Sequence, residues 1–206
     1  MVFLTSTGFA NPKIYKLLLE NSSRDINKAC IITTATLPLK EEHPIAINTY
    51  NYLKNHGIDK VDYIDIEFDN PDKLYNYDLI FILGGNSCHL HYHMINSKAD
   101  KVLLDLIDKK YNVIGASAGA MLLSSGNQYT KYFKLGIEEE GDCFVEGLSI
   151  TNDILFPHYD MFFERVSNLE SQLLAIEKEH NIRITRLKNM DFIYISNDNE
   201  VTKVLT

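Results

Sequence analysis

Gly115-Ala116-Ser117-Ala118-Gly119 is the segment whose residue types and spacing point most directly to chemistry. It fits G-x-S-x-G, with apolar Val113-Ile114 before it and the helix-forming stretch Ala120-Met121-Leu122-Leu123 after it. A tight strand-to-helix turn forces its central serine into a strained backbone and exposes the hydroxyl, and small neighbours let the flanking chain pass close by. N–H groups at the start of a helix favour the negative charge that develops on an attacked carbonyl oxygen. The segment therefore reads as a nucleophile turn for acyl transfer. A plain Gly/Ala-rich turn or a phosphate cradle would look similar. The cradle reading lacks both a Lys-[ST] ending and a G-x-G-x-x-G pattern.

A serine nucleophile needs a base. Of the seven histidines, His43 precedes a helix, His56 sits just before Gly57, and His180 ends a long helical stretch, so all three have capping or surface explanations. His158 is different. It follows the apolar run Ile154-Leu155-Phe156 and Pro157, which places it at a strand end, as Ser117 is. The competing reading is a satisfied surface or core histidine. Cys88-His89-Leu90-His91-Tyr92-His93 is a second cluster. On a strand its three histidines would share a face; on a helix only His89 and His93 would. With no clear carboxylate partner, they read as pocket lining, and no metal site is expected. Cys88 at a helix start could be an activated thiol, but it lacks the nucleophile turn. Glu138-Glu139-Glu140 reads as a solvated loop.

The elements that must position these residues alternate between short apolar runs and helical periodicity. Strands are expected at Val2–Thr7, Cys30–Thr34, Val61–Ile66, Leu79–Leu83 and around Val113-Ile114. Helices are expected after Asn11-Pro12 and His43-Pro44, from Ser97, and at Met121–Leu123. Beyond these, Cys143–Ile150 and Ile154–Phe156 read as strands, followed by one long helix carrying Phe162, Val166, Leu169, Leu173 and Ile176 on one face. Ile182–Leu187, Phe192–Ile195 and Val201–Leu205 read as strands, with Asn197-Asp198-Asn199 closing a hairpin. Repeated β-α units imply a mostly parallel sheet with helices on both faces, and function at the carboxyl ends of its strands. Gly84-Gly85-Asn86 and the Ser117 turn both lie at such ends.

The 206 residues suit one domain, 1–206, with a substantial core. There is no repeat, no low-complexity segment, no apolar run of about 20 residues to span a membrane and no basic segment ahead of the first apolar stretch, so neither a membrane span nor a signal peptide is expected. Twenty basic residues against 28 acidic give a net charge of −8, which disfavours nucleic acid and anionic membrane as partners. Three widely spaced cysteines, Cys30, Cys88 and Cys143, do not suggest a disulfide framework, and a reducing, cytoplasmic setting is expected. No cofactor motif is present. A monomer or a homodimer would both be compatible.

Taken together, Gly84-Gly85-Asn86 with Leu90, then Gly115-Ala116-Ser117-Ala118-Gly119-Ala120, then Pro157-His158-Tyr159, resembles the S51 serine peptidases, the family of dipeptidase E and cyanophycinase. The resemblance covers essentially the whole chain. It implies a three-layer α/β/α sandwich like that of the class I glutamine amidotransferases, with serine in place of their cysteine. It further implies Ser117 as nucleophile, His158 as base, and the backbone N–H groups of Gly85 and Ala118 as the oxyanion hole. The third triad member departs from the family pattern. Asn189 stands where the family places an acid, and Asp191 lies two residues on. Asn189 could orient the histidine, Asp191 could do so after a register shift, or the triad could be degraded. Family members that cleave Asp-X dipeptides must pair the substrate carboxylate with a cation, and Arg165 is the best placed of four arginines. Asn86 and Asp160 are further candidates for substrate contact.

Three functions compete at this point. The first is a serine exopeptidase acting on small peptides, with Asp-X dipeptides one class. The second is an α/β-hydrolase-type esterase, whose chain order would require His180 as base. The third is an amidotransferase-like binding or regulatory protein without catalysis.

Overall fold

The computed structural model describes residues 1–132 and 145–205. The acidic run Glu138-Glu139-Glu140 and Cys143 lie outside the described residues. In chain order the elements are β1 (Val2–Thr5), α1 (Pro12–Asn21), β2 (Lys28–Ile32), α2 (Pro44–Asn55), β3 (Lys60–Ile64), β4 (Leu79–Ile82), α3 (Ser87–Asn96), α4 (Ala99–Asp108), β5 (Asn112–Ala116) and α5 (Ala118–Leu123). They continue with β6 (Ile154–Phe156), α6 (Tyr159–Arg165), α7 (Leu169–His180), β7 (Ile184–Arg186), β8 (Phe192–Ile195) and β9 (Val201–Val204).

Seven strands form one sheet in the order β3-β2-β4-β5-β1-β8-β9. The first five run parallel, and β8 and β9 join antiparallel at the β1 edge. Continuous apolar runs suit this arrangement because both faces are covered. In β4, Leu79 and Phe81 point to one face and pack with Ile14 and Leu18 of α1 and with Ala46 and Leu53 of α2. Ile80 and Ile82 point to the other and pack with Leu90 and Met94 of α3, Leu103 and Leu106 of α4, and Leu122 of α5. Each such fully buried side chain contributes about 1.5–3 kcal/mol. The helix starts follow from their first residues. Asn11 accepts from the Lys13 N–H at 3.0 Å and His43 Nδ1 accepts from the Ile45 N–H at 3.2 Å, each with a proline at the first helical position. β6 and β7 pair separately and pack on α7 through Phe156, Leu169, Leu173 and Ile184.

Two expectations about these elements need correction. Residues 145–150 do not form a strand. The N–H groups of Leu148, Ser149 and Ile150 instead donate to the carbonyls of Leu122, Ser124 and Leu123, the open end of α5, leaving a single bridge between Gly126 and Glu146. The single long helix is two, α6 and α7. Val166 turns extended and Asn168 turns left-handed, at φ 59°, while Phe162, Val166, Leu169, Leu173 and Ile176 still share one small core. The histidine-rich segment Cys88–His93 lies on α3, the helix that starts directly after Gly84-Gly85-Asn86 and precedes α4. As for the cysteines, Cys30 is free and fully buried, whereas Cys88 is disulfide-bonded, so the thiols no longer argue for a reducing setting. Among the described residues no helix is long and apolar enough to cross a membrane.

The sheet and the Ser117 turn meet through backbone contact. A Cβ at Gly119 would lie 2.4 Å from the Ile82 carbonyl oxygen, and one at Gly115 would lie 2.5 Å from the Gly119 oxygen. Gly119→Ala therefore destabilises the chain by about 1–3 kcal/mol through overpacking. Urea unfolding checks this, and an unchanged midpoint would contradict the close packing.

Candidate active site

Ser117 is the residue between β5 and α5, and its backbone takes φ 50° and ψ −110°, a region that a side-chain-bearing residue rarely occupies. Such strain costs on the order of 1–3 kcal/mol and persists only where the surroundings enforce it. Here the Ser117 N–H donates to the Thr5 carbonyl at 3.0 Å, and the Ser117 carbonyl accepts from the Met121 N–H at 2.9 Å. The turn is thus pinned to β1 on one side and to its own helix on the other.

The Gly84-Gly85 turn after β4 lies directly against it. A Cβ at Gly84 would come within 2.7 Å of the Ser117 Cβ and 3.3 Å of its Oγ. Gly85 sits at φ 131°, and a side chain there would strike the Ala35 carbonyl oxygen at 2.2 Å. Among the described residues neither the Gly85 N–H nor the Ala118 N–H has a hydrogen-bond partner. Asn86, next in line, uses its Oδ1 to cap α3, accepting from the His89 N–H at 2.8 Å.

His158 links β6 to α6 in a left-handed conformation, φ 56°. Its backbone N–H donates to Ser6 Oγ at 2.8 Å, and its Nδ1 lies 2.8 Å from Asn189 Oδ1, with Ser6 Oγ at 3.4 Å. An amide oxygen only accepts, so Nδ1 carries the proton and Nε2 is left as the basic nitrogen. Asn189 is itself fixed on two further sides. Its N–H donates to Asp160 Oδ1 at 3.1 Å, and its carbonyl accepts from Thr7 Oγ1 at 2.5 Å.

Asp191, the other candidate for third member, is buried. Its Oδ2 accepts from the Lys188 N–H at 2.9 Å and its own N–H returns to the Lys188 carbonyl, closing the turn that carries Asn189. Ser117 and His158 line one cavity of about 320 Å³, together with Ser6, Gly84, Gly85, Ile45, Thr49 and Phe81. No arginine, lysine or carboxylate lines it among the described residues. Arg165 ends α6, is exposed, and lines a separate depression with Ser167 and Glu170, so the structure does not bring it to the serine. His180, the base an esterase order would need, instead stacks on Tyr132 with ring centroids 3.5 Å apart.

Two groups escaped the sequence reading. Ser6 and Thr7 follow β1 at the carboxyl end of the sheet, and that position is the signal that could have found them. The other is a carboxylate beside the histidines. Glu67, in the loop after β3, lies 3.1 Å from His89 Nε2 and 3.9 Å from His93 Nε2. Lys40 reaches the same carboxylate at 2.8 Å.

Comparison with known proteins agrees with this layout. The profile of peptidase family S51 matches residues 2–202. An uncharacterized peptidase of Listeria innocua serovar 6a is 23% identical over 62% of the chain, and one of Listeria monocytogenes serovar 1/2a is 26% identical over 65%. These alignments span 59% and 64% of the relatives' own lengths. Among solved structures, a candidate peptidase E from Listeria monocytogenes EGD-e superposes with a TM-score of 0.71 at 23% identity, covering 100% of this chain and 98% of that one. A peptidase from an acI-B1 Actinobacterium gives 0.64 at 17% identity over 93% and 81%. With the profile running from β1 into β9, the chain belongs to peptidase family S51.

Proposed function

We propose that this chain is a serine peptidase that hydrolyses small peptides through Ser117, His158 and Asn189. The observation that carries the proposal is the 2.8 Å contact from His158 Nδ1 to Asn189 Oδ1, on a histidine that shares a cavity with the strained serine. Ser117 Oγ attacks the peptide carbonyl and gives its proton to His158 Nε2. The oxyanion is taken up by the N–H groups of Gly85 and Ala118, which are free to donate. His158 then protonates the departing amine, the acyl group stays on Ser117, and a water activated by Nε2 releases it. Asn189 fixes the tautomer and the ring plane but brings no negative charge to the imidazolium. Asp191 acts one step back, by shaping the turn on which Asn189 sits.

The cavity also bears on the substrate. About 320 Å³ suits a short peptide, and Ile45, Thr49 and Phe81 suit an uncharged side chain next to the scissile bond. An Asp-X preference would need a cation, and the position of Arg165 does not support it.

A fluorophosphonate probe is expected to label the wild-type chain on Ser117 and to leave Ser117→Ala unlabelled at an unchanged thermal midpoint; a folded wild-type chain that stays unlabelled would favour a non-catalytic binding protein. Asn189→Ala is expected to lower kcat/KM at least about tenfold, while Asn189→Asp raises it above wild type by stabilising the imidazolium. Equal rates for all three would remove Asn189 from the mechanism. Across a dipeptide panel, apolar first residues are expected to be cleaved faster than Asp, and faster Asp-X turnover would reverse the reading of the cavity.

A further inference from the structure

We propose that Glu67, His89 and His93 form a binding site for a divalent transition-metal ion of the zinc class. His89 and His93 lie one turn apart on α3, with ring centroids 4.3 Å apart. The Nε2 of each faces the Glu67 carboxylate, and one donor atom from each of the three residues lies within 4.8 Å of the others. Tetrahedral coordination with bonds of about 2.0–2.1 Å places donor atoms roughly 3.3 Å apart, so small side-chain rotations bring the three onto one ion. Two imidazoles and a carboxylate select zinc-class ions over calcium or magnesium. The three side chains are 20–25% exposed, which leaves a path for the ion and room for water as a further ligand.

The electrostatics agree with the geometry. Asp65 and Glu67 outnumber the one ammonium between them, Lys40. Lys40 occupies the carboxylate in the ion's absence. It donates to Glu67 at 2.8 Å and also reaches Asp65 at 2.8 Å, the Thr34 carbonyl at 3.3 Å and His89 Nε2 at 3.4 Å. When the ion arrives Lys40 keeps Asp65 and Thr34 and gives up Glu67. None of the three ligands lines the Ser117 cavity, so the proposed ion site is separate from the proposed peptidase site. The ion would tie the loop after β3 to the helix that follows Gly85.

The test is calorimetric titration of chelator-stripped protein with zinc chloride, made in the Ser117→Ala background so that the result does not depend on the peptidase reading. One ion per chain is expected, with His89→Ala, His93→Ala and Glu67→Gln each weakening binding at least about tenfold. Lys40→Met is expected to tighten it. Cobalt(II) should show a visible absorption band that His93→Ala abolishes, and circular dichroism of Glu67→Gln should match that of the parent. No uptake by the stripped protein would overturn the proposal, as would uptake that either histidine variant weakens by less than tenfold.

Discussion

An imidazole can take a proton from a serine only when its other nitrogen already holds one and the ring is kept from turning. In the mechanism proposed for this chain both conditions rest on the hydrogen bond from His158 Nδ1 to Asn189 Oδ1. Much of the local architecture serves it. The Tyr159 N–H donates to the Leu187 carbonyl and the Leu187 N–H to the Phe156 carbonyl, which seats the Asn189 turn beside the histidine. Ser6 and Thr7, arriving from β1, hold the two partners from a third direction. An amide in this position orients the imidazole but brings it no negative charge.

The serine is held by a different kind of constraint. Its strained backbone is enforced by the crossing of β4, β5 and α5, where Gly115, Gly119 and Ile82 touch main chain to main chain. Ser117 is pinned to Thr5 of β1 and lines the cavity that His158 also lines. The same packing brings Gly84-Gly85 against the serine, so one set of close contacts positions both the proposed nucleophile and the two amide groups proposed to receive the oxyanion. The stability of the sheet and the geometry of the site are therefore linked at these glycines.

What could be read from the sequence was local. Apolar runs such as Leu79–Ile82 announce strands buried on both faces, and the small residues around Ser117 announce the turn, because each effect acts within a few positions. The choice between Asn189 and Asp191 was not legible. It depends on which side chain the turn aims at a histidine 31 residues earlier, and Asp191 is turned back onto the Lys188 N–H. Glu67 was missed for the same reason, since it meets His89 and His93 only through the sheet order β3-β2-β4. The break at Val166–Asn168 was hidden because the apolar spacing continues across it. The misread strand at 145–150 failed because open carbonyls at the end of α5 outcompete a sheet edge for its N–H groups.

A crystal structure of the chain after reaction with a fluorophosphonate tests the catalytic geometry most directly. The expected result is phosphorus bonded to Ser117 Oγ, a phosphoryl oxygen within hydrogen-bond distance of the Gly85 and Ala118 N–H groups, and His158 still paired with Asn189. A phosphoryl oxygen pointing away from both amides, or a His158 ring that has left Asn189 for Asp191, would contradict it.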